Sequence, residues 1–150
     1  MKTDSPFAIY DPMLANTSAE IESCFAVMQE LRPELQDKEA FVAQMERQKK
    51  EGYLLFYLRD EEEVGACMGF RIFETLAWGK ILYIDDLITR KKSRKKGLAK
   101  RLLDYAIQQG SSEKCAEIHL DSGYQRHDAH RLYLNCGFKL LCHHFSLTIS

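Results

Sequence analysis

Hydrophobic and polar positions along the chain follow two periods, and together they predict an ordered series of strands and helices. The apolar, β-branched run at residues 81–89 predicts a strand. A 3–4 spacing of apolar residues then predicts an amphipathic helix that buries Leu98, Ala99, Leu102, Leu103, Ala106 and Ile107. The same patterns predict further strands at residues 7–10, 53–58, 64–73 and 117–121, helices at 21–31, 37–51 and 126–135, and an extended segment at 138–149.

The order of these elements predicts an α/β fold whose central sheet is mixed, mostly antiparallel and flanked by helices. Three consecutive strands joined by short turns favour an antiparallel meander. The strand after the amphipathic helix is expected to lie parallel to its predecessor through a right-handed crossover. Gly65 and Gly69, inside the middle strand of the meander, indicate a bulge or a close approach by another group. A chain of 150 residues without repeats or linkers is predicted to form a single domain, residues 1–150.

Charge and cysteine content narrow the functional classes. The formal net charge of −1 provides no global field that would favour nucleic acid or a membrane surface as a partner. The five cysteines form no C-x-x-C pair and favour free thiols in a reducing compartment. Residues 1–11 lack an apolar signal core, and no apolar run approaches membrane-spanning length. We therefore expect a soluble cytoplasmic protein.

A basic turn between the strand at 81–89 and the amphipathic helix is the first candidate for ligand binding. In the segment Arg94-Lys95-Lys96-Gly97-Leu98-Ala99, several backbone N–H groups at the start of a helix lack a partner and point toward one place. The positive end of the helix dipole lies there, so the turn suits a phosphate. Gly97 allows the backbone to approach a ligand closely.

The spacing of Arg94, Gly97 and Ala99 resembles motif A of the GCN5-related N-acetyltransferase (GNAT) family, (Arg/Gln)-x-x-Gly-x-(Gly/Ala). In that family the turn binds the pyrophosphate of acetyl-CoA, a co-substrate. The resemblance implies the GNAT fold and a cofactor site formed by Arg94, Lys95, Lys96, Gly97, Leu98, Ala99 and Lys100. It also implies that the backbone of Leu87 and Ile88 hydrogen-bonds the acetyl carbonyl and the pantetheine arm, where an N–H group would stabilise the oxyanion.

A second stretch, residues 129–138, resembles motif B of the same family, Ala-x-x-Leu-Tyr-x-x-x-Gly-Phe. The resemblance implies Tyr133 as the general acid, because a phenol near the sulfur can donate a proton or a hydrogen bond to the departing thiolate. A core-facing tyrosine is the alternative, since Tyr133 lies on the apolar side of its helix.

Asp85 and Asp86 lie in the middle of an apolar strand, where a charged side chain is costly unless it faces a cleft or a partner. Alternation along a strand predicts that they point to opposite sides of the sheet. An alkylamine has a pKa of about 10 and arrives protonated, so a carboxylate can take its proton directly or through water. We rank Asp86 above Asp85 as this base, because Asp86 precedes the splayed part of the strand in the family pattern. A structural hydrogen bond to a neighbouring loop is the alternative for each.

The eight basic residues between Arg90 and Arg101 have three interpretations: pairing with the phosphates of CoA, a solvated face, or nucleic-acid binding. Nucleic acid is disfavoured because no aromatic residues interleave the run for base stacking. Histidines and cysteines near the C-terminus invite a metal site, but their spacing fits no zinc ligand pair, so no metal is expected.

Two positions depart from the family pattern. Lys95 replaces a frequent glycine, which reduces the tolerance for a positive φ, and Arg126 replaces a frequent asparagine. Residues 125–133 also resemble the corresponding segment of aminoalkylphosphonate N-acetyltransferases, in which case Arg126 and His130 would receive an anionic group of the acceptor. The residues after Phe138 are few for a full final hairpin, and a partner subunit in a homodimer is one arrangement that would complete it.

The sequence as a whole predicts an N-acetyltransferase that moves the acetyl group of acetyl-CoA to a primary amine of a small molecule, by direct attack within a ternary complex. The alternatives are acetylation of a protein lysine or N-terminus, and a CoA-binding sensor or interaction module without transfer activity. Neither a membrane nor a nucleic acid is expected as a partner.

Overall fold

The computed structural model describes residues 11–150, so the strand predicted at residues 7–10 lies outside the described residues. Residues 11–150 form the strands β1 (Met13–Leu14), β2 (Leu54–Asp60), β3 (Glu63–Thr75), β4 (Gly79–Thr89) and β5 (Glu117–Leu120). They also form a short 3-10 turn at Lys91–Ser93 and the helices α1 (Ser18–Ser23), α2 (Phe25–Leu31), α3 (Lys38–Lys50), α4 (Leu98–Ser112) and α5 (His127–Asn135).

The chain divides into two compact units, Met1–His119 and Leu120–Ser150. The described part of the first unit contains α1 to α4 and β1 to β4, and the second unit contains α5 and the residues that follow it. The single domain predicted for residues 1–150 stays a prediction. Among residues 11–150, no helix is both long enough and apolar enough to cross a membrane.

The strands form one sheet in the order β1-β2-β3-β4-β5, in which β1 to β4 pair antiparallel with their neighbours. This confirms the predicted meander and the predicted fold class of a central sheet flanked by helices. The short strand β1 was not predicted, because its two residues are too few for an alternating pattern to be read.

Helix starts follow the capping chemistry of the sequence. The side chain of Thr17 accepts a hydrogen bond from the Glu20 N–H at 3.2 Å, and that of Asp37 accepts one from the Glu39 N–H at 3.0 Å. The single helix predicted at residues 21–31 is in fact two, because the chain tightens at Cys24. There the N–H donates three residues back to the Ile21 carbonyl, which ends α1 before α2 begins.

Side chains of β2, β3 and β4 alternate between two faces of the sheet, and helices cover both. On one face, α1, α2 and α3 share a buried cluster with the strands that includes Cys24, Val27, Met28, Leu31, Phe41, Tyr53, Leu55, Tyr57, Cys67 and Ile88. On the other face, α4 packs against β3 and β4, and the buried residues there include Leu58, Met68, Phe70, Leu82, Leu98, Leu102, Leu103 and Ala106. The predicted buried face of α4 is confirmed except at Ala99, which is half-buried, and at Ile107, which is exposed.

The segment predicted as extended at residues 138–149 forms no strand. Its apolar side chains are exposed, namely Leu140, Leu141, Phe145, Leu147 and Ile149. The partner subunit that was expected to complete a final hairpin stays a prediction.

Two glycines in β3 leave space that side chains from residues outside this strand occupy. A Cβ atom at Gly69 would lie 1.7 Å from Tyr53 Oη, and one at Gly65 would lie 2.7 Å from the Cβ of Asp60. The close approach that these glycines predicted is therefore confirmed. Tyr53 reaches across β3 only because residue 69 has no side chain.

We predict that Gly69→Ala lowers the free energy of unfolding by about 3 kcal/mol, because the added methyl group overlaps a fully buried phenol. Gly110→Ala is the matched control: its Cβ would meet Ile118 at 3.5 Å, an ordinary contact, and alanine favours a helix by about 1 kcal/mol. Urea unfolding of both variants measures the difference. Equal stability of the two variants would contradict this account of Gly69.

Candidate active site

The turn before α4 has the backbone conformation of an anion site. Lys95 and Gly97 both adopt left-handed conformations, with φ of +66° and +78°. No side chain caps α4, and its first backbone bond runs from the Arg101 N–H to the Gly97 carbonyl at 3.0 Å. The N–H groups of Leu98 and Ala99 consequently have no backbone partner among residues 11–150. Since α4 is 15 residues long, these groups also lie at the positive end of a substantial dipole.

The left-handed conformation of Lys95 was not expected, because glycine usually occupies that position in the family pattern. A residue with a Cβ atom pays about 1–2 kcal/mol for this conformation. Such strain persists only where the surrounding structure enforces it. The backbone of the turn is therefore retained although one of its usual glycines is missing.

Asp60, the last residue of β2, holds this basic turn in place. Lys96 Nζ donates to both carboxylate oxygens of Asp60, at 3.0 and 2.9 Å, and Ser93 Oγ donates to Oδ2 at 2.5 Å. Arg90 Nε in turn donates to Ser93 Oγ at 2.7 Å. The hydrogen bonds from Lys96 and then Ser93 lower the pKa of Asp60. This contact was not predicted from the sequence. The one feature that hinted at it is the acidic run at residues 60–63, whose charge is opposite to that of the basic turn.

The basic run divides into cations with acidic partners and cations without them. The paired members are Arg90 and Lys92 with Glu63, Lys96 with Asp60, Lys100 with Asp104, and Arg101 with Asp11. Within residues 11–150 three members form no ion pair, namely Lys91, Arg94 and Lys95. Those three charges remain available to an anionic ligand at the turn.

The last part of β4 has one open edge. Strand β5 is four residues long and approaches β4 beside Lys80, whose carbonyl accepts from the Ala116 N–H at 2.7 Å. At about 3.3 Å per residue, β5 is too short to reach residues 85–89. Consecutive residues direct their backbone groups to opposite edges, so one of Leu87 and Ile88 presents its N–H and C=O where no described strand pairs.

A β-bulge sets the direction of the two strand carboxylates. Gly69 pairs with Asp86, and Arg71 pairs with Tyr83. Between these two pairs the chain advances by two residues along β3 but by three residues along β4. The extra residue is Asp85. Gly69 and Arg71 share a face, so Asp85 and Asp86 both lie on that face, the one covered by α1 to α3. The prediction that they point to opposite sides is wrong, because the bulge shifts the alternation by one residue.

Asp86 is fully engaged by two residues from other elements. Arg32, which follows α2, donates from Nε and Nη2 to Asp86 Oδ1 at 3.1 and 2.9 Å. Its Nη2 also donates to the backbone carbonyl of the bulged Asp85 at 3.2 Å. Tyr53 Oη donates to Asp86 Oδ2 at 2.7 Å. Burial, and then the Asp86 charge, raise the pKa of Tyr53 well above its ordinary value, so the phenol stays a donor.

Asp85 has a single side-chain partner. Both of its oxygens accept from Arg71 Nε, at 3.0 and 3.1 Å. Burial raises the pKa of Asp85, and the Arg71 bond and charge oppose that shift only in part. The Arg71 guanidinium lies 5.5 Å from the ring centre of Phe73 and 5.7 Å from that of Tyr83. Neither Arg71 nor Arg32 was predicted, since both come from elements distant in sequence.

The second unit contains Tyr133, Arg126 and His130. Burial raises the pKa of Tyr133, so its phenol is protonated near neutral pH, and its hydroxyl has no hydrogen-bond partner among residues 11–150. Its ring packs 5.9 Å from that of Phe138. His130 Nε2 lies 2.9 Å from the Gly123 carbonyl, and Arg126 immediately precedes α5. In the part of the chain that the structure describes, no three histidine, cysteine or acidic residues cluster in a way that could hold a metal.

Comparisons with known proteins agree on one family. The model of the acetyltransferase (GNAT) family matches residues 17–138. An uncharacterised N-acetyltransferase of Bacillus subtilis strain 168, YhdJ, is 37% identical over 118 residues, which cover 77% of this chain and 82% of the relative.

Solved structures share the fold at lower identity. A transcriptional regulator from Bacillus halodurans C-125 is 20% identical, with a TM-score of 0.81 over 93% of this chain and 100% of its own. The aminoglycoside N-acetyltransferase AAC(6')-Iy, solved with the bisubstrate analogue CoA-S-monomethyl-acetylneamine, is 15% identical, with a TM-score of 0.79 over 93% of this chain and 97% of its own.

We predict that Asp60→Asn destabilises the protein by about 1–3 kcal/mol at pH 7, because a nearly buried carboxylate loses charge-assisted bonds. The folded pKa of Asp60 is lowered, so its contribution is present above the unfolded pKa of about 3.9 and is lost as the pH falls through the folded value. Urea unfolding from pH 7 to pH 3 should show wild type and variant converging at the acidic end.

The exposed pair of Lys100 and Asp104 provides the control for this experiment. Asp104→Asn should cost less than about 0.5 kcal/mol at any pH. A difference between wild type and Asp60→Asn that is constant from pH 7 to pH 3 would contradict the role of the Asp60 charge.

Proposed function

Because this chain belongs to the acetyltransferase (GNAT) family, we propose that it transfers the acetyl group of acetyl-CoA to the primary amine of a small molecule by direct attack in a ternary complex. Family membership makes it an acyltransferase. The observation that carries the proposal is the turn before α4, where left-handed Lys95 and Gly97 precede the N–H groups of Leu98 and Ala99, which have no partner among residues 11–150.

The turn fits the pyrophosphate of acetyl-CoA. The amides of Leu98 and Ala99 would donate to its oxygens, and the unpaired cations of Arg94 and Lys95 would neutralise its charge. Lys96, predicted as a phosphate ligand, contributes chiefly through its bond to Asp60, which fixes the turn before any ligand arrives.

The open edge of β4 would position the reacting end of the same substrate. A free N–H of Leu87 or Ile88 can donate to the acetyl oxygen, where negative charge develops as the amine attacks. The strand leads directly from this edge into the phosphate-binding turn, so both ends of the ligand would contact one continuous segment of chain.

Of the two carboxylates, Asp85 is the better base, which reverses the order expected from the sequence. Asp86 already accepts from Arg32 and Tyr53 on both oxygens, whereas Asp85 is bonded only to Arg71 and has a raised pKa. Asp85 would bind the incoming ammonium and take a proton from it. Asp86 would be a positioning residue that holds the bulge.

Protons and bonds balance with Tyr133 as the acid. The amine nitrogen bonds to the acetyl carbon, the carbon–sulfur bond breaks, and the sulfur leaves with the bonding electrons. An alkylammonium loses two protons on becoming an amide: Asp85 would take one of them, and the other would restore the phenol of Tyr133 after that phenol has protonated the thiolate. Tyr133 would supply the proton to the thiolate, since burial keeps its phenol protonated and its hydroxyl has no hydrogen-bond partner among residues 11–150. Cytoplasmic localisation and a homodimer remain predictions.

We predict that Gly97→Ala weakens acetyl-CoA binding by about tenfold or more, because a Cβ atom at a φ of +78° costs about 1–2 kcal/mol and displaces the amides. Gly52→Ala is the matched control, with a φ of +94° and equally open surroundings far along the chain from the turn. Calorimetry should find weaker binding only for Gly97→Ala. Equal affinities of the two variants would remove the turn from the proposal.

We also predict that Tyr133→Phe lowers kcat by about 10²-fold while the affinity for acetyl-CoA stays unchanged, since the lost hydroxyl acts on the leaving sulfur. Thiol release with a panel of primary amines measures kcat, and calorimetry measures affinity. An unchanged kcat would exclude Tyr133 as the acid. Binding of acetyl-CoA without thiol release for any amine would instead indicate a sensor without transfer activity.

A further inference from the structure

We propose that the acceptor carries an acidic group as well as its amine, and that Arg71 binds this acidic group while Asp85 binds the amine. This inference rests on the proposed function. It concerns the charged cluster on the sheet face under α2, which is formed by Arg32, Arg71, Asp85 and Asp86.

Arg71 is held in place by one of its donor groups, and its other donor groups are not hydrogen-bonded to the described residues. Only its Nε is hydrogen-bonded, to Asp85, so within residues 11–150 both terminal Nη groups lack a partner. The side chain is 41% exposed, so a ligand can reach these groups. The rings of Phe73 and Tyr83 flank the guanidinium, which reduces the entropy lost when it binds a planar or tetrahedral anion.

The other arginine of the cluster is largely committed. Arg32 uses Nε and Nη2 for Asp86 and for the Asp85 carbonyl. These bonds satisfy the backbone group that the bulge removes from the strand ladder. Arg32 is therefore part of the scaffold, and Arg71 is the cation with free donors.

The charge balance of the cluster favours an acceptor of mixed charge. Two arginines and two aspartates sum to zero, so a purely cationic acceptor would gain from Asp85 but would be repelled by Arg71. An acceptor with an ammonium and an acid satisfies both partners. Asp85 and the Nη groups belong to one ion pair, so the two groups of the ligand must be close, separated by a few carbon atoms.

A carboxylate and a phosphonate share this chemistry, because each accepts two parallel N–H bonds from a guanidinium. The residues expected from the sequence to bind such a group were Arg126 and His130. His130 already contacts the Gly123 carbonyl, whereas the Nη groups of Arg71 form no hydrogen bond within residues 11–150.

Thiol release with three acceptors of matched length tests the proposal: propylamine, 3-aminopropanoate and 2-aminoethylphosphonate. For wild type, kcat/KM should be at least about tenfold higher for one of the acidic amines than for propylamine. A charge-assisted bond contributes about 10- to 100-fold in binding, so Arg71→Gln should reduce this ratio by about that factor, mainly through KM. Arg71→Lys should retain part of it.

Arg59→Gln is the matched control, since Arg59 also stacks on a ring, that of Tyr57, but has no carboxylate partner. It should leave the ratio unchanged. Circular dichroism checks that each variant folds. The proposal is overturned if wild type prefers propylamine, or if Arg126→Gln lowers the ratio and Arg71→Gln does not. If none of the amines gives thiol release, both this inference and the proposed function are overturned. Equal rates with all three amines would overturn this inference alone.

Discussion

The constraint on which the site depends is a helix start at which the amides of Leu98 and Ala99 have no partner among residues 11–150. Within residues 11–150 no side chain caps α4, and the two residues before it with left-handed conformations, Lys95 and Gly97, set the direction in which the chain enters the helix. Such a turn would be costly if it were mobile or buried. Asp60, Ser93 and Lys96 hold it in place by hydrogen bonds that do not use the helix N–H groups. These hydrogen bonds hold the backbone of the turn in place and leave its amides available for an anion.

The bulge at Asp85 is the second device that the fold uses. A regular strand would place one carboxylate on each face of the sheet, and only one could face the helices that cover the α1–α3 side. The bulge brings both to that face and frees a carbonyl that Arg32 then satisfies. Gly69 makes this possible, because Tyr53 can reach Asp86 only across a residue without a side chain. One carboxylate is thereby fixed and the other is left with capacity to bind.

Periodicity and turn residues predicted most of the fold, including the meander and the turn at Gly97. These features are local, so the sequence states them directly. The break at Cys24 and the direction of Asp85 were not predicted, because a one-residue change in backbone hydrogen bonding leaves no mark on an apolar pattern. Arg32, Tyr53, Arg71 and Asp60 were missed for another reason. They meet the site through tertiary contacts, and only the glycine at position 69 hinted that another side chain approaches there.

The measurement that tests the central claim most directly is an NMR titration of the ¹⁵N-labelled protein with acetyl-CoA. The account predicts that the amide resonances of Gly97, Leu98 and Ala99 move downfield by more than those elsewhere, as their N–H groups bond to phosphate. If the coenzyme binds to saturation while those three resonances stay in place, the diphosphate is held elsewhere and the account is wrong.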